Sequence, residues 1–195
     1  VNHQHNLPPI EKKLAYKSNR IGFAERFEDP NLQANVEVDL EMLGHYDEVI
    51  RKLELRLERT AKLDDPQNFF RLQTIPGVGR IIAMTLLYEI HDIHRFNRVG
   101  QFLSYCRLVR GSHTSAGKSY GSPGKKIGNA YLKWAFSETV PLLKRCCPEV
   151  KTFCDRIEKK HSAARAHSYI AVKLGRAVYY MMKRGEAFEI ERLIR

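Results

Sequence analysis

The sequence lacks the features of a disulfide-stabilised, zinc-binding or membrane-spanning protein. It contains only four cysteines in 195 residues, with no Cys-x-x-Cys pair and no histidine–cysteine spacing of a zinc site. No apolar run reaches the roughly 20 residues that a membrane-spanning helix needs, and the N-terminal residues do not resemble a signal peptide. We therefore expect reduced thiols and a cytoplasmic location.

Acidic residues are almost absent from the middle of the sequence. Between Arg95 and Arg145, ten lysines and arginines accompany a single acid, Glu138, which leaves 23 of the 33 basic and 21 of the 22 acidic side chains to the rest of the chain. The net charge of +11 is therefore concentrated in one region. A regional excess of positive charge is typical of a surface that binds nucleic acid.

The spacing of apolar residues predicts a mostly helical fold. Residues 1–35 contain three prolines and no sustained period, which indicates an extended arm or linker. Residues 36–66 repeat apolar side chains every three or four positions, as a long, amphipathic, coiled-coil-like helix does. A long core helix of a bundle is the alternative interpretation. Residues 67–195 are expected to form one compact helical domain.

A Pro-Gly-x-Gly turn interrupts the apolar pattern within residues 69–90. Two of its glycines permit a tight turn and the small Ala83 allows two helices to approach closely, which is the pattern of a helix-hairpin-helix. The amides at the start of the second helix would then bind a DNA phosphate. The candidate residues are Gly77, Val78, Gly79 and Arg80. A structural αα-corner is the alternative.

Further helices are predicted downstream. Residues 98–108 read as a short helix that contributes to the core, and Asn129 reads as the N-cap of a helix that Pro141 breaks or kinks. Another helix follows Pro148, and a third runs over residues 163–183, where apolar residues form a regular stripe. Together these patterns predict a predominantly helical domain.

The sequence contains one pair of closely spaced histidines, His91 and His94. Three positions apart, they could share a helix face, but metal ligation needs further ligands and only Asp92 lies nearby. Structural or solvated histidines are therefore the preferred interpretation, and we predict no metal site in this chain.

Residues 110–134, RGSHTSAGKSYGSPGKKIGNAYLKW, combine glycines, hydroxyls and lysines without any acid. Small residues let an anionic backbone come close and cations attract it, which favours a phosphate-binding loop over a flexible linker. A hydroxyl in such a loop becomes a nucleophile only if it is exposed, in line with the phosphate and near positive charge. Ser115, followed by Ala116, Gly117 and Lys118, has suitable neighbours, although phosphate binding alone remains the safer interpretation.

Five strings carry a resemblance to a known family: LQTIPGVGRIIAMTLLYEIHDIHRF, FLSYCRLV, SAGKSYG, GKKIGNAYLKWAFSE and LGRAVYYMMKR. Over about residues 25–185 the sequence resembles the C-terminal part of bacterial insertion-sequence transposases of the IS-one-ten group, which also contains pilin-gene DNA invertases. The resemblance implies an N-terminal RuvC-like domain with a DEDD tetrad that holds Mg²⁺, then a coiled coil, then a domain with an essential serine. It also implies tetramers and a structured guide RNA.

In that family the serine precedes a small-Gly-Lys triplet, which corresponds here to Ser115, with Ser112 and then Ser119 as the nearest alternatives. The resemblance implies that Ser115 attacks a DNA phosphate and forms a phosphoserine intermediate, later resolved by strand exchange. Gly117 and Lys118 would shape the phosphate site. Charge and proximity alone add three candidates for neighbouring phosphates or the guide RNA: Arg110, Lys125 and Lys126.

The sequence departs from the family in the acidic domain, for which 195 residues leave no room. The chain begins at Val1 rather than Met, so we expect a fragment, without a cofactor of its own and catalytically silent by itself. His113 is too near Ser115 in sequence to act readily as its base. The acids of the long helix have the spacing of a solvated face: Glu37, Asp39, Glu41, Asp47 and Glu48. We expect DNA, a guide RNA and further copies of the chain, assembled as a dimer or tetramer through the long helix, as partners.

Two other classes of protein fit the same residues. One is a non-enzymatic helix-hairpin-helix module that binds nucleic acid as a scaffold or regulator. The other is an oligomerising coiled-coil protein, which would show no steep salt dependence of nucleic-acid binding, whereas phosphate contacts would produce one.

Overall fold

The computed structural model describes residues 7–109 and 127–194, together with the backbone of residues 114–115 and 118–119. The chain divides into two compact units, Val1–Arg56 and Leu57–Arg195. Most of the described residues are helical, which confirms the predicted fold class. None of the described helices is long and apolar enough to cross a lipid bilayer.

The helices of the described residues are, in chain order, α1 (Pro30–Asp64), α2 (Pro66–Gln73), α3 (Arg80–Ile90), α4 (Val99–Tyr105), α5 (Ala130–Cys146), α6 (Pro148–Lys160), α7 (Ala163–Arg184) and α8 (Ile190–Ile194). Single 3-10 turns lie at Lys17–Asn19, Ala24–Arg26 and Ile93–Arg95. Two short strands, β1 (Thr114–Ser115) and β2 (Lys118–Ser119), form an antiparallel pair.

In the first unit, the segment before α1 is folded onto the helix. Ala24 and Phe27 are buried, and the Arg20 guanidinium lies 2.7 Å from the Asp47 carboxylate. Nε of Arg20 also donates to the carbonyl oxygen of Leu14 at 2.7 Å. The prediction of an extended arm is therefore wrong for this segment, and Asp47 is an ion-pair partner rather than part of a solvated face. The other acids assigned to that face are exposed: Glu37, Asp39, Glu41 and Glu48.

Helix α1 begins at Pro30, earlier than the predicted start at Val36. Proline is favoured in the first turn of a helix, where its missing N–H needs no partner and its fixed φ suits the helix. Asp29 completes this start, because its side chain accepts from the amide of Asn31 at 2.9 Å and its carbonyl accepts from the amide of Gln33 at 2.9 Å. Pro30 is thus a helix-start signal and not part of an arm.

The apolar stripe of α1 lies largely exposed. Ala61 is the one buried residue of this 35-residue helix. More than a third of each of the following side chains is exposed: Val38, Met42, Leu43, Tyr46, Val49, Ile50 and Leu53. A core helix would bury such a stripe within the chain, so the described residues argue against that alternative. The coiled-coil interpretation stays a prediction.

The core of the second unit is built around α5 and α7. Helix α5 packs against α3, α6 and α7, and α7 also packs against α2, α4, α6 and α8. The fully buried Phe102 ring lies 6.3 Å from Phe136 and 5.7 Å from Tyr179, measured between ring centroids. The buried Tyr179 hydroxyl donates to the carbonyl oxygen of Phe96 at 3.0 Å. These contacts join α4, α5 and α7 into one core.

Helix α7 has nearly the bounds that its apolar stripe predicts. Oγ of Ser162 accepts from the amide of Arg165 at 3.3 Å and caps the helix. Gly185, at φ +70°, ends it, because its amide and that of Glu186 both donate to the carbonyl oxygen of Met181. The stripe is largely buried: Ala166, Ile170, Leu174 and Met181 are buried, Ala177 is half-buried, and only Ala163 is exposed.

Helix α5 continues through Pro141 to Cys146, so this proline does not break the helix, and the alternative expectation of a kink stays a prediction. Val140 and Leu143 are both buried on the two sides of the proline. Tertiary packing on both halves therefore outweighs the lost hydrogen bond, whose cost is about 3 kcal/mol in a helix interior. Helix α6 begins at Pro148, as predicted.

All four cysteines are free thiols, as predicted. Cys106, Cys147 and Cys154 are buried, whereas Cys146 is exposed. Burial raises the pKa of the Cys106 thiol far above its ordinary value, so this side chain behaves as a core residue and not as a reactive group.

Candidate nucleic-acid interface

The Gly/Ser/Lys-rich loop lies mainly outside the described residues. This applies to the candidates Arg110, Ser112, His113, Gly117, Lys125 and Lys126, and to the side chains of Ser115, Lys118 and Ser119. The backbone of the two short strands is described, and it pairs Ser115 with Lys118 and Thr114 with Ser119. The backbones of Ser115 and Lys118 therefore lie opposite each other.

The two ends of this loop are tied together by a set of contacts that we call the loop anchor, formed by Glu89, Tyr105, Arg107, Gly128 and Asn129. Nε of Arg107 donates to the carbonyl oxygen of Gly128 at 2.8 Å. The amide of Asn129 donates to the carbonyl oxygen of Tyr105 at 2.7 Å. The residues that enter and leave the loop are therefore hydrogen-bonded directly to each other.

Backbone conformation at the anchor is specialised. Arg107 takes a left-handed conformation, φ +55°, at the end of α4, and the amide of Leu108 donates back to the carbonyl oxygen of Leu103 at 2.9 Å. This is the geometry of a helix C-terminus capped by a left-handed residue. Gly128 has φ +97°, and a Cβ there would lie 2.6 Å from the carbonyl oxygen of Tyr105. Only glycine fits at this position without strain.

Asn129 links the anchor to two helices. Its side-chain oxygen accepts from the amide of Leu132 at 2.9 Å, which confirms the predicted N-cap of α5. Its Nδ2 donates to Oε2 of Glu89 on α3 at 2.5 Å and lies 3.4 Å from the Tyr105 hydroxyl. The hydrogen bond from Asn129, with a smaller one from Arg95, lowers the pKa of Tyr105.

Arg95, at the start of the basic region, is held by aromatic rings. Its Cζ lies 4.6 Å from the ring centroids of both Phe96 and Tyr105, a distance at which a guanidinium is attracted to the ring face. The cation therefore sits beside the loop anchor, next to the residues through which the chain enters and leaves the loop.

The connection between α2 and α3 contains the predicted phosphate-binding turn. Gly77 has φ +84°, and a Cβ there would lie 2.7 Å from Cβ of Leu142, so this glycine packs directly against α5. Val78 is buried. Gly79 is the N-cap of α3 and has no capping side chain, and apart from its chain neighbours no described atom lies within 4 Å of the position of its Cβ. The first-turn amides of α3 have no intrahelical acceptor.

Arg80, the fourth candidate of the turn, has an acidic neighbour. Its guanidinium lies 3.6 Å from the Glu58 carboxylate near the end of α1. The hydrogen bond from Lys62 lowers the pKa of Glu58 most, and Arg80 lowers it further. Because Arg80 is about half exposed, this ion pair is weak, and a phosphate could compete for the guanidinium.

The paired histidines serve the chain in local structure. The side chain of Asp92 accepts from the amide of His94 at 2.8 Å and caps the 3-10 turn Ile93–Arg95, and His91 ends α3 in a left-handed conformation. Among the described residues, no group of three or more His, Cys, Asp or Glu side chains is placed to hold a metal ion.

Sequence reasoning missed most of the loop anchor. Arg107 pairs with a residue 21 positions away and Asn129 with one 40 positions away, and no local pattern predicts either partner. The two weak signals were the glycine before Asn129 and the position of Glu89 as the one acid late in an otherwise apolar helix.

Comparison with known proteins finds similarity in the segment that carries the loop and the turn. Residues 70–155 match the model of a family described as the IS116/IS110/IS902 family of transposases. A curated relative is the transposase for insertion sequence element IS1111A of Coxiella burnetii (strain RSA 493 / Nine Mile phase I), which is 34% identical over 87 residues. That alignment covers 45% of this chain and 23% of the relative. Both matches are to transposases.

The matched segment is shorter than the resemblance over about residues 25–185 implied. It runs from α2 into α6 and contains the loop anchor and the α2–α3 turn, but it excludes α1 and α7. The DEDD tetrad, the essential serine and the coiled coil are expectations that the matches leave open.

Proposed function

We propose that this chain is the DNA-binding, serine-bearing part of an insertion-sequence transposase. The observation that carries the proposal is the family match over residues 70–155, because this segment includes both the basic loop and the turn before α3. The regional positive charge between Arg95 and Arg145 supports a polyanionic partner.

In the proposed reaction, the Ser115 hydroxyl attacks a DNA phosphate. A phosphoserine ester forms, one strand end is released, and the ester is later resolved when a strand end attacks it. Lys118 would offset the negative charge that develops on the phosphate oxygens, and Gly117 would leave room for the backbone. The backbone pairing of Ser115 with Lys118 supports a shared site for hydroxyl and cation.

The remaining candidates have binding roles in this proposal. Arg110, Lys125 and Lys126 would hold flanking phosphates of DNA or of a guide RNA. The first-turn amides at Gly79 and Arg80 would hold a more distant phosphate in the manner of a helix-hairpin-helix. The loop anchor supports this division, because it fixes both ends of the loop on α3, α4 and α5.

Catalysis in this proposal requires more than this chain. The acidic Mg²⁺-binding domain would come from a longer parent, and α1 would bring copies together as a dimer or tetramer. In this proposal the isolated chain binds nucleic acid and cuts it only when joined to that domain.

The deciding experiment replaces Ser115 with alanine in the full-length parent. Loss of recombination with retained DNA binding, measured by a plasmid excision assay and by fluorescence anisotropy, is the expected result, because only the nucleophile is removed. The matched controls are Ser112→Ala and Ser119→Ala, which carry the same change beside the site and should recombine. Normal recombination by the Ser115 variant would refute the serine mechanism.

The same assay separates the alternative function. If a parent with intact Ser115 binds DNA yet yields no recombination and no covalent protein–DNA adduct, the chain is a non-enzymatic nucleic-acid-binding module. The adduct is detected by denaturing electrophoresis of labelled DNA.

A further inference from the structure

One face of α7 carries a row of alternating cationic and aromatic side chains. Its members are Arg165, Tyr169, Lys173, Arg176, Tyr180 and Arg184. We call this set the α7 row. Spacings of three and four positions place the side chains on one side of the helix, and at ~1.5 Å per residue the row is about 28 Å long. Helix α7 lies outside the segment that matches the transposase family.

Positive charge along most of the row is uncompensated. Helix α7 contains five lysines and arginines and no aspartate or glutamate. Within the described residues, no carboxylate lies within 4.0 Å of the cationic groups of Arg165, Lys173 or Arg176. At the C-terminal end Glu186 lies 4.0 Å from Arg184, but the same carboxylate is 2.6 Å from Arg192.

The positive charges of Lys173 and Arg176 also repel each other. Burial lowers the pKa of Lys173 first, and the charge of Arg176 lowers it further. A bound anion would relieve both effects. A polyanion bound to the α7 row would therefore supply a counter-charge to these cations.

Aromatic rings are exposed between these cations. Tyr169 is 48% exposed and Tyr180 is 40% exposed, so a large part of each side chain is accessible to a ligand. Nζ of Lys173 lies 5.7 Å from the Tyr169 ring, and Cζ of Arg184 lies 5.0 Å from the Tyr180 ring. A groove beside Tyr169 is lined further by Phe153, Ile157, His161 and Arg165.

We propose that the α7 row binds a single-stranded stretch of nucleic acid, whose bases stack on Tyr169 and Tyr180 and whose phosphates contact Arg165, Lys173 and Arg176. Exposed rings set among cations are how proteins bind unpaired strands without sequence preference. In a duplex the base faces are covered by neighbouring bases, so the rings would add nothing. An acidic peptide would use the cations and leave the rings without a role.

The first arm of the test removes the rings from the 195-residue chain. Tyr169→Leu/Tyr180→Leu keeps apolar side chains but removes the stacking surface, and its affinity for ~12-nucleotide oligothymidylate and oligouridylate should fall about tenfold or more. Affinity for a duplex of the same length should stay unchanged. Tyr169→Phe/Tyr180→Phe is the matched control and should bind like the original chain. Fluorescence anisotropy measures the affinity of the original chain and of both variants for the single strands and for the duplex.

The second arm removes cations. Lys173→Gln/Arg176→Gln should reduce the slope of log affinity against log salt concentration by about 1.4 for single strands, because each lost phosphate contact contributes about 0.7. Lys151→Gln/Lys159→Gln is the matched control. Both of its lysines are exposed and lie two positions from the groove residues Phe153 and Ile157, on the other side of α6.

The affinities of the leucine variant for single strands and for the duplex decide the test. Unchanged single-strand affinity of the leucine variant, or an equal loss for the duplex, would overturn the proposal, while a loss confined to DNA or to RNA supports it and identifies the natural strand. Because Tyr180 packs edge-on against the buried Tyr179 at 5.2 Å, unfolding temperatures are compared, and Tyr169→Leu alone serves if the double variant is less stable. Single-strand binding is measured without recombination, so the test does not depend on the proposed catalysis.

Discussion

Gly128 holds the backbone at φ +97° and lets the chain pass the carbonyl oxygen of Tyr105. A side chain at this position would meet two penalties, the left-handed strain of about 1–2 kcal/mol and a 2.6 Å approach of its Cβ to a backbone oxygen. We therefore expect Gly128→Ala to lower the free energy of unfolding by about 2–3 kcal/mol. Urea denaturation followed by circular dichroism measures the change.

Gly100→Ala is the control for this prediction. Gly100 lies inside α4, and no described atom lies within 4 Å of the position of its Cβ. Alanine should keep or raise stability there by up to about 1 kcal/mol, because glycine is the poorer helix former. Equal stability of the two variants would show that the loop anchor does not depend on the conformation of Gly128.

Residue roles set by local hydrogen bonding were predictable from sequence. Asn129 caps α5 through an amide three positions away, and this pattern is readable in a single stretch. The bonds of Asn129 to Glu89 and of Arg107 to Gly128 join distant positions. Their partners are chosen by the packing of α3, α4 and α5, which no local pattern encodes.

At the scale of elements, Pro141 is a proline in the interior of α5. It gives no N–H to the helix and crowds the preceding turn, and its side chain is exposed. Pro141→Ala should therefore raise the free energy of unfolding by about 1–2 kcal/mol, a part of the ~3 kcal/mol propensity gain being offset by the freer unfolded chain. Thermal unfolding measures the effect.

Pro148→Ala is the matched change, since Pro148 occupies the first position of α6. Proline fits there without losing a hydrogen bond, so alanine should leave stability unchanged or slightly lower. If the Pro141 variant is no more stable than the Pro148 variant, Pro141 does not destabilise α5 and the prediction is wrong.

Element boundaries were predictable where the apolar period is regular. The stripe of α7 predicted its ends to within one residue. Pro30 was misread as part of an arm because a proline marks both loops and helix starts, and the burial of Phe27 against the first unit follows no sequence period. The five-residue helix α8 is too short for a periodic signal.

At the scale of the whole molecule, basic charge occurs in two places with different surroundings. The region between Arg95 and Arg145 combines cations with glycines and hydroxyls in a loop, whereas the α7 row combines cations with exposed aromatic rings on a helix. Composition predicted the first, because its excess of charge is continuous in sequence. It did not predict the second, because the row emerges only when one side of α7 is buried and the other is not.

The exposed apolar stripe of α1 leads to the last prediction, which concerns self-association. Seven apolar side chains of α1 between residues 38 and 53 are more than a third exposed, and burying such a stripe against a second helix gains about 25 cal/mol per Å². We expect the chain to sediment as a dimer or larger assembly at micromolar concentration.

Ile50→Glu/Leu53→Glu should shift the chain to monomer, because a charge between the paired helices is costly. Lys52→Glu, an added acid beside the stripe at an exposed position, should keep the assembly. Sedimentation equilibrium measures the mass of the original chain and of both variants. If the original chain is a monomer, α1 is not the element that joins copies.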